Sequence, residues 1–423
     1  MLFLRFPLAC LFLLAALGAC VPVERPSVSV APVEQRQPVT ILVSIDGFRP
    51  DYLKREVTPH LSALAAGGVE SAMRPSFPTK TFPNHWAIVT GERPDHSGIV
   101  ANKMEDASRP GETFTMASDD PYWWKEAEPI WVTAEKAGVR TATLFWPGSN
   151  VAWGASKASA WPYILTGGTR PSDWAQFHQE ISGMQRVNGV LDLLRRPKEI
   201  RPRFLTLYFD AVDTAGHIYG PDATETTDAA QKVDGQIGML VEGLKTLGQP
   251  ANLIILSDHG MARKSSERVV AMDKVANPAD YRIVESGPYA SLAAQPGHEA
   301  ALEAAILKPH PHMQCWRKAD IPAHFHYGTH RRIPAYFCLG ETGWVIQPTA
   351  PVKPFAGGDH GWDQRAPEMQ ALFIANGPGF DARFRPPADF ANVDVYPLLA
   401  RLLGIAPLPG DGDPAVLAGL VKH

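Results

Sequence analysis

The chain has 423 residues, 45% of them hydrophobic and 20% charged, with a formal net charge of -4. That balance suits a globular protein with a large core and excludes a disordered or low-complexity chain. It also excludes a broad basic field, so no nucleic-acid polymer is expected as a partner and an anionic substrate must be met locally.

Arg5 followed by the apolar run Phe6 to Ala19 reads as an export signal, too short to span a bilayer comfortably. It ends in Leu17-Gly18-Ala19-Cys20, which is similar to the lipobox of bacterial lipoproteins. That similarity implies cleavage before Cys20, lipidation of its thiol and a periplasmic membrane tether; a secretory signal cleaved without lipidation is the alternative. Residues 1–19 are therefore expected to be a signal peptide and 20–37, with its Pro, Ser and Val, a linker. Of the four cysteines, Cys10 would leave with the signal and Cys20 would carry lipid. Cys315 and Cys338 remain, and an oxidising compartment suggests that they pair, two buried thiols being the alternative.

Four apolar runs each stop at a polar or glycine-rich break. Thr40–Ile45 runs into Asp46-Gly47, Phe204–Phe209 into Asp210, Leu253–Ser257 into Asp258-His259-Gly260, and Ala371–Ile374 into Ala375-Asn376-Gly377. Helical patterns such as Thr58 to Ala66 and Val393 to Leu403 lie between them. Continuous apolar strands alternating with helices predict an α/β fold, a doubly wound and mostly parallel sheet with sites beyond its carboxyl ends. Residues 269–352, rich in Pro, His and Ala, break this rhythm and read as an α+β capping insertion. The catalytic core would then comprise 38–268 and 353–423.

The chemistry-bearing residues fall at those strand ends. Asp46, Asp213-x-x-x-His217, Asp258-His259 and His360 together offer three carboxylates and three imidazoles, enough for two three-ligand metal sites. Singly, each has an ordinary explanation: a strand-terminal Asp caps a turn, and any of the 14 histidines can be structural. Their joint placement is what points to metal. Thr81 precedes Phe82-Pro83-Asn84-His85, where a helix opens with Pro in its first turn, so its hydroxyl stands at a helix N-terminus that favours an anion. Without the metal motifs, a simple helix cap would account for Thr81.

Ile45-Asp46-Gly47-Phe48-Arg49, Lys80-Thr81-Phe82-Pro83-Asn84-His85, Glu128-Pro129-Ile130-Trp131, Gly216-His217, Ser257-Asp258-His259-Gly260-Met261 and Gly358-Asp359-His360-Gly361 resemble the nucleotide pyrophosphatase/phosphodiesterase family of the alkaline phosphatase superfamily. The resemblance covers roughly Pro38 to Leu403, in the family's order. It implies two Zn2+, one held by Asp213, His217 and His360 and the other by Asp46, Asp258 and His259. Thr81 would be the nucleophile of a covalent threonyl-phosphate mechanism that cleaves phosphodiester or phosphoanhydride bonds. Asn102 would donate to a non-bridging phosphoryl oxygen, and Phe82 and Tyr208 would sandwich the base of a nucleotide substrate, core packing being the plainer role for both rings.

A sulfatase would need Cys or Ser where Thr81 stands. A phosphate monoesterase needs extra positive charge that Asn102 lacks, and Lys80 or Lys103 would supply it only by pointing inward. A phosphonate hydrolase shares the metal pattern, and a catalytically dead zinc-binding lipoprotein would not require an intact Thr81. His85 and the insertion histidines His310, His312, His324, His326 and His330 match no ligand motif and are expected to be structural. Asp210 lies near the ligand motif without matching it.

Overall fold

The computed structural model describes residues 34–158 and 160–422. The expectations for the signal peptide, for Cys20 and for most of the linker lie outside them. Arg36 to the C-terminus forms one unit.

Eight strands make the central sheet: β1 (Val39–Ile45), β2 (Val69–Arg74), β3 (Thr141–Leu144), β4 (Asp173–Ala175), β5 (Phe204–Phe209), β6 (Ala251–Leu256), β7 (Ala371–Asn376) and β8 (Phe390–Ala391). Across the sheet their order is β8-β2-β7-β6-β1-β5-β3-β4. β1 runs parallel to both β6 and β5, with Val43 opposite Ile255 and Leu207. β5 with β3, β3 with β4 and β2 with β8 are parallel as well. Every residue of β1 and β5 is buried, because both faces of the sheet are covered. Leu42 and Leu256 feed one core, shared with α2 (Thr81–Thr90) and α6 (Val395–Leu403). Ile41 and Val43 feed the opposite one, shared with α1 (Pro59–Ala66), α3 (Gly183–Leu194) and α5 (Thr224–Thr246). The period of two along β1 thus divides its side chains between two helical layers, and the fold is the expected mostly parallel α/β arrangement.

One strand runs against the expectation. β7 is antiparallel to both β6 and β2, with Asn376 opposite Leu253. Its break at Asn376-Gly377 therefore lies at the far end of the sheet, and its beginning serves the site instead: Ser257 N–H donates to Leu372 O and Gly260 N–H to Met369 O. A continuous apolar strand shows burial but not direction, which is why the sequence misled here.

Within 269–352, the strands Tyr281–Glu285, Tyr289–Ala294, Tyr336–Gly340 and Met313–Arg317 form an antiparallel sheet in that spatial order, with the helix Glu299–Ile306 packed through Leu302 and Ile306. Val269–Ala271 pairs with Val345–Gln347 where the segment leaves and rejoins the core. Cys315 faces Cys338 across neighbouring strands, and the two form a disulfide. Among the described residues, no helix is long and apolar enough to cross a membrane.

Candidate functional site

Each site residue follows from a local feature of the fold. β1 delivers Asp46 at its end, and the turn beyond needs Gly47: φ is +68° there, and a Cβ would stand 3.1 Å from Asp213. β5 leads into α4 (Ala211–Tyr219), whose helical spacing stacks Asp213 and His217 on one face. β6 delivers Asp258 and His259. A short strand, Ala356–Asp359, paired with Ala262–Ser265, brings in His360.

These elements bring all six expected ligands together. His217 Nε2 lies 3.4 Å from Asp213 Oδ2, and His360 Nε2 lies 3.1 Å from His217 Nε2 and 3.6 Å from Asp213 Oδ1. His259 Nε2 lies 2.9 Å from Asp258 Oδ2 and 3.5 Å from Asp46 Oδ1. The imidazoles of His259 and His360 stack with centroids 3.5 Å apart. Asp213, His217 and His360 close into one grouping of metal-ligand geometry, while Asp46 belongs to two others, with Asp213 and His259 and with His85 and Asp258.

The donor chemistry fits a metal. His217 Nδ1–H donates to Gly358 O at 3.0 Å, His259 Nδ1–H to Gly260 O at 3.0 Å and His360 Nδ1–H to Thr79 O at 2.8 Å. A carbonyl can only accept, so each pairing fixes the proton on Nδ1 and turns an Nε2 lone pair toward the cluster. The carboxylates add buried oxygens without a hydrogen-bond donor: Asp46 Oδ1, Asp213 Oδ1 and Asp258 Oδ2. Burial, then the charges of Asp258 and Asp213, push Asp46 well above the usual carboxylate range. Burial raises Asp213 too, outweighing His217 and His259. For Asp258 burial is overcome by His259 and His85, and its carboxyl is held low. Negative groups crowded in this way are electrostatically completed by cations.

Thr81 opens α2, and its Oγ1 lies 3.3 Å from His259 Nε2. The amides at this helix end are less free than the sequence suggests. Phe82 N–H donates to Asn102 Oδ1 at 2.9 Å, and Pro83 has no N–H. The first bond orients the Asn102 amide and leaves Nδ2 as its uncommitted donor. Lys80 is committed as well, with Nζ 3.3 Å from Asp359 Oδ1, while Lys264 holds Asp359 Oδ2 at 2.8 Å. Burial notwithstanding, these two lysines keep the Asp359 carboxyl far below its ordinary range.

Beside the cluster opens a pocket of about 460 Å³ whose walls include Asp46, Thr81, Asp213, Phe82 and Tyr208. Phe82 and Tyr208 thus both line this pocket, and the Tyr208 hydroxyl also donates to Asp46 Oδ2 at 2.6 Å. Phe177, in a stretch that carries no motif, supplies a further wall with its side chain 43% exposed and its ring edge-on to Tyr208. Trp146 and Pro147, from the loop after β3, line it too.

His85 proves closer to the chemistry than its sequence implied. It is fully buried, accepts from Ser44 Oγ at 2.8 Å, donates from Nδ1 to Thr81 O at 2.9 Å, and lies 3.3 Å from Asp258 Oδ2. Asp210 is held by Arg186 at 2.8 Å instead of joining the cluster. The insertion histidines belong to no ligand grouping among the described residues; His330, for example, pairs with Glu126 at 2.8 Å.

The family model for type I phosphodiesterase / nucleotide pyrophosphatase matches residues 40–363. The chain belongs to that family. It is accordingly a hydrolase of phosphodiester or pyrophosphate bonds. Relatives of this phosphodiesterase include the Bis(5'-adenosyl)-triphosphatase enpp4 of Xenopus laevis, 35% identical over 90% of the chain and 81% of that protein. The human ectonucleotide pyrophosphatase/phosphodiesterase family member 1 is 35% identical over 95% of the chain, which spans 44% of that longer relative. Among solved structures, an inactive variant of murine ectonucleotide pyrophosphatase / phosphodiesterase 5 in complex with AMP superposes with a TM-score of 0.84 at 29% identity, covering 91% of this phosphodiesterase and 100% of the murine chain.

Proposed function

We propose that the protein is a two-zinc phosphodiesterase and nucleotide pyrophosphatase in which Thr81 is the nucleophile. The observation that carries this reading is the convergence of three Nε2 lone pairs and three donorless carboxylate oxygens beside the Thr81 hydroxyl. Nitrogen and oxygen donors in this number suit zinc, with Asp213, His217 and His360 for one ion and Asp46, Asp258 and His259 for the other. Bound zinc would supply Lewis acidity, lowering the proton affinity of a nearby hydroxyl and offsetting charge on phosphoryl oxygens.

The chain's own groups do the rest. Thr81 Oγ1 bonds to phosphorus as the leaving oxygen departs with its electron pair, and water later cleaves the threonyl-phosphate and restores the hydroxyl. Asn102, oriented by the Phe82 amide, donates from Nδ2 to a non-bridging oxygen. His85 braces Thr81 and Asp258 from behind. A 460 Å³ pocket matches the size of small-molecule sites, and Phe82, Phe177 and Tyr208 offer aromatic surface to a nucleobase. The AMP bound by the murine relative supports a nucleotide as substrate. Lys80 is engaged by Asp359 and Lys103 is exposed, so the extra positive charge that a monoester demands is not provided, which favours diesters.

The disulfide and the extracellular names of relatives support an exported enzyme. We place it in the periplasm, tethered through lipidated Cys20, with 269–352 capping a core built from 38–268 and 353–423 and selecting among substrates. The test is steady-state cleavage of bis(p-nitrophenyl) phosphate and p-nitrophenyl phosphate by zinc-loaded enzyme beside Thr81→Ala. A diester preference that falls at least ~10³-fold in the variant is expected. Dominant monoester turnover, or activity untouched by the substitution, would overturn the reading.

A further inference from the structure

Away from the metal-ligand cluster, a crevice of about 80 Å³ concentrates positive charge. Arg74 from the end of β2, Arg93, His326 and Arg365 line it, together with Ser76 and Gln364. Arg93 has a carboxylate at 3.4 Å, Asp411. The guanidinium groups of Arg74 and Arg365 have neither an ion pair nor a hydrogen bond among the described residues. Arg74 is half-buried, where an unpaired guanidinium gives up part of its hydration without compensation.

Two further polar groups stand at its wall. Gln364 is 4% exposed; its Nε2 donates to His324 O at 2.8 Å, but its Oε1 meets no donor. His326 sits in the left-handed region at φ 49° and brings its imidazole to a wall already crowded with cations. Burial, then the charge of Arg93, push that imidazole below its ordinary range against the pull of Asp411, with smaller contributions from Arg74 and Arg365. The imidazole is therefore neutral near pH 7 and adds a polar partner without adding charge.

We propose that this crevice is a binding site for inorganic phosphate. Its volume admits one tetrahedral oxyanion. Guanidinium forks match oxyanion edges, which is why converging arginines select phosphate and sulfate over halides.

The site shares no residue with the proposed metal ligands, so its test is independent of the zinc reading. Thermal unfolding of the enzyme as purified, and of the same enzyme in EDTA, is followed in 10 mM phosphate, sulfate or chloride at matched ionic strength. Expected is a rise in Tm of about 2–4 °C with phosphate in both preparations, a comparable rise with sulfate and none with chloride. The Arg74→Gln/Arg365→Gln variant should lose the shift in EDTA while hydrolysing diester substrate within about twofold of the wild type in phosphate-free buffer. An equal phosphate shift in wild type and variant, or no shift in wild type, overturns the proposal. A folded but still phosphate-responsive Arg74→Met/Arg365→Met variant would overturn it as well.

Discussion

Two groups of buried carboxylates stand on the same scaffold in opposite states. At the site, Asp46, Asp213 and Asp258 each keep a buried oxygen with no donor. At the junction where Asp95, Asp106 and Glu126 meet residues 328–332, the acids are saturated. Asp95 accepts from the amides of Gly328, Thr329 and His330 and from the Thr329 hydroxyl. Asp106 takes Tyr122 Oη at 2.8 Å and Nε of Arg331 and Arg332 at 3.1 and 2.9 Å, and Glu126 takes His330, Arg331 and Arg332. Asp46 and Asp213 respond in the direction opposite to the junction acids, while Asp258 is held low by His259 and His85. Burial raises Asp46 and Asp213, whereas at Asp106 and Glu126 it is overcome by their hydrogen-bond donors, which bring Glu126 down to about 2. Evidently the fold can satisfy buried acids where its own cations suffice. Leaving three of them unsatisfied in one place marks a site whose completing charge comes from outside the chain.

Removing a cation from the junction is the severest way to break this comparison. Arg332 is fully buried and serves Asp106, Gly98 O and Trp123 O, so Arg332→Met should cost about 3–5 kcal/mol of stability in chemical denaturation. Turnover by the folded fraction should stay near wild type; a stable variant would mean that the junction is not structural. On the other side, the proposed mechanism makes Asn102 a donor needed only in the transition state, so Asn102→Ala should lower kcat by roughly 10²-fold with little change in stability. A pure rise in KM would show that Asn102 acts in ground-state binding instead.

Asp46→Asn sharpens the contrast in sign. In chelator it should stabilise the protein by about 1–2 kcal/mol, since it removes one of several crowded negative charges and keeps an acceptor for Tyr208. Destabilisation in chelator would show that the site acids support the fold as the junction acids do. The smallest effect is acid sensitivity. Because the folded Glu126 carboxyl titrates at about 2 and its ordinary value is 4.5, its stabilisation is complete above about pH 4.5 and is lost as pH falls toward 2. Glu126→Gln should therefore flatten the decline of the denaturation midpoint between pH 5 and 3, and an unchanged slope would remove Glu126 from the account of acid stability.

Five of the ligand candidates were legible because they follow apolar strands, where an α/β sheet collects its functional groups, and His360 because it stands in Gly358-Asp359-His360-Gly361. Thr81 was legible because Pro83 announced the helix it opens. The junction left no local trace: Arg332 meets Asp106 across 226 residues, and neither belongs to a motif. Phe177 escaped because an exposed aromatic in an irregular segment has no periodicity to betray it. The direction of β7 escaped for a different reason, since burial on both faces looks the same in either direction. The commitment of Phe82 N–H to Asn102 required the loop geometry itself.

The most direct test of a cation-completed site is a zinc titration of chelator-stripped enzyme, with bound metal and diester hydrolysis measured on the same samples. Activity should be negligible at the start, rise with added zinc and level off at about two equivalents per chain. Full activity in the stripped enzyme, or no gain on adding zinc to folded protein, would contradict the central claim that the unsatisfied carboxylates and imidazoles around Thr81 form a two-zinc catalytic site.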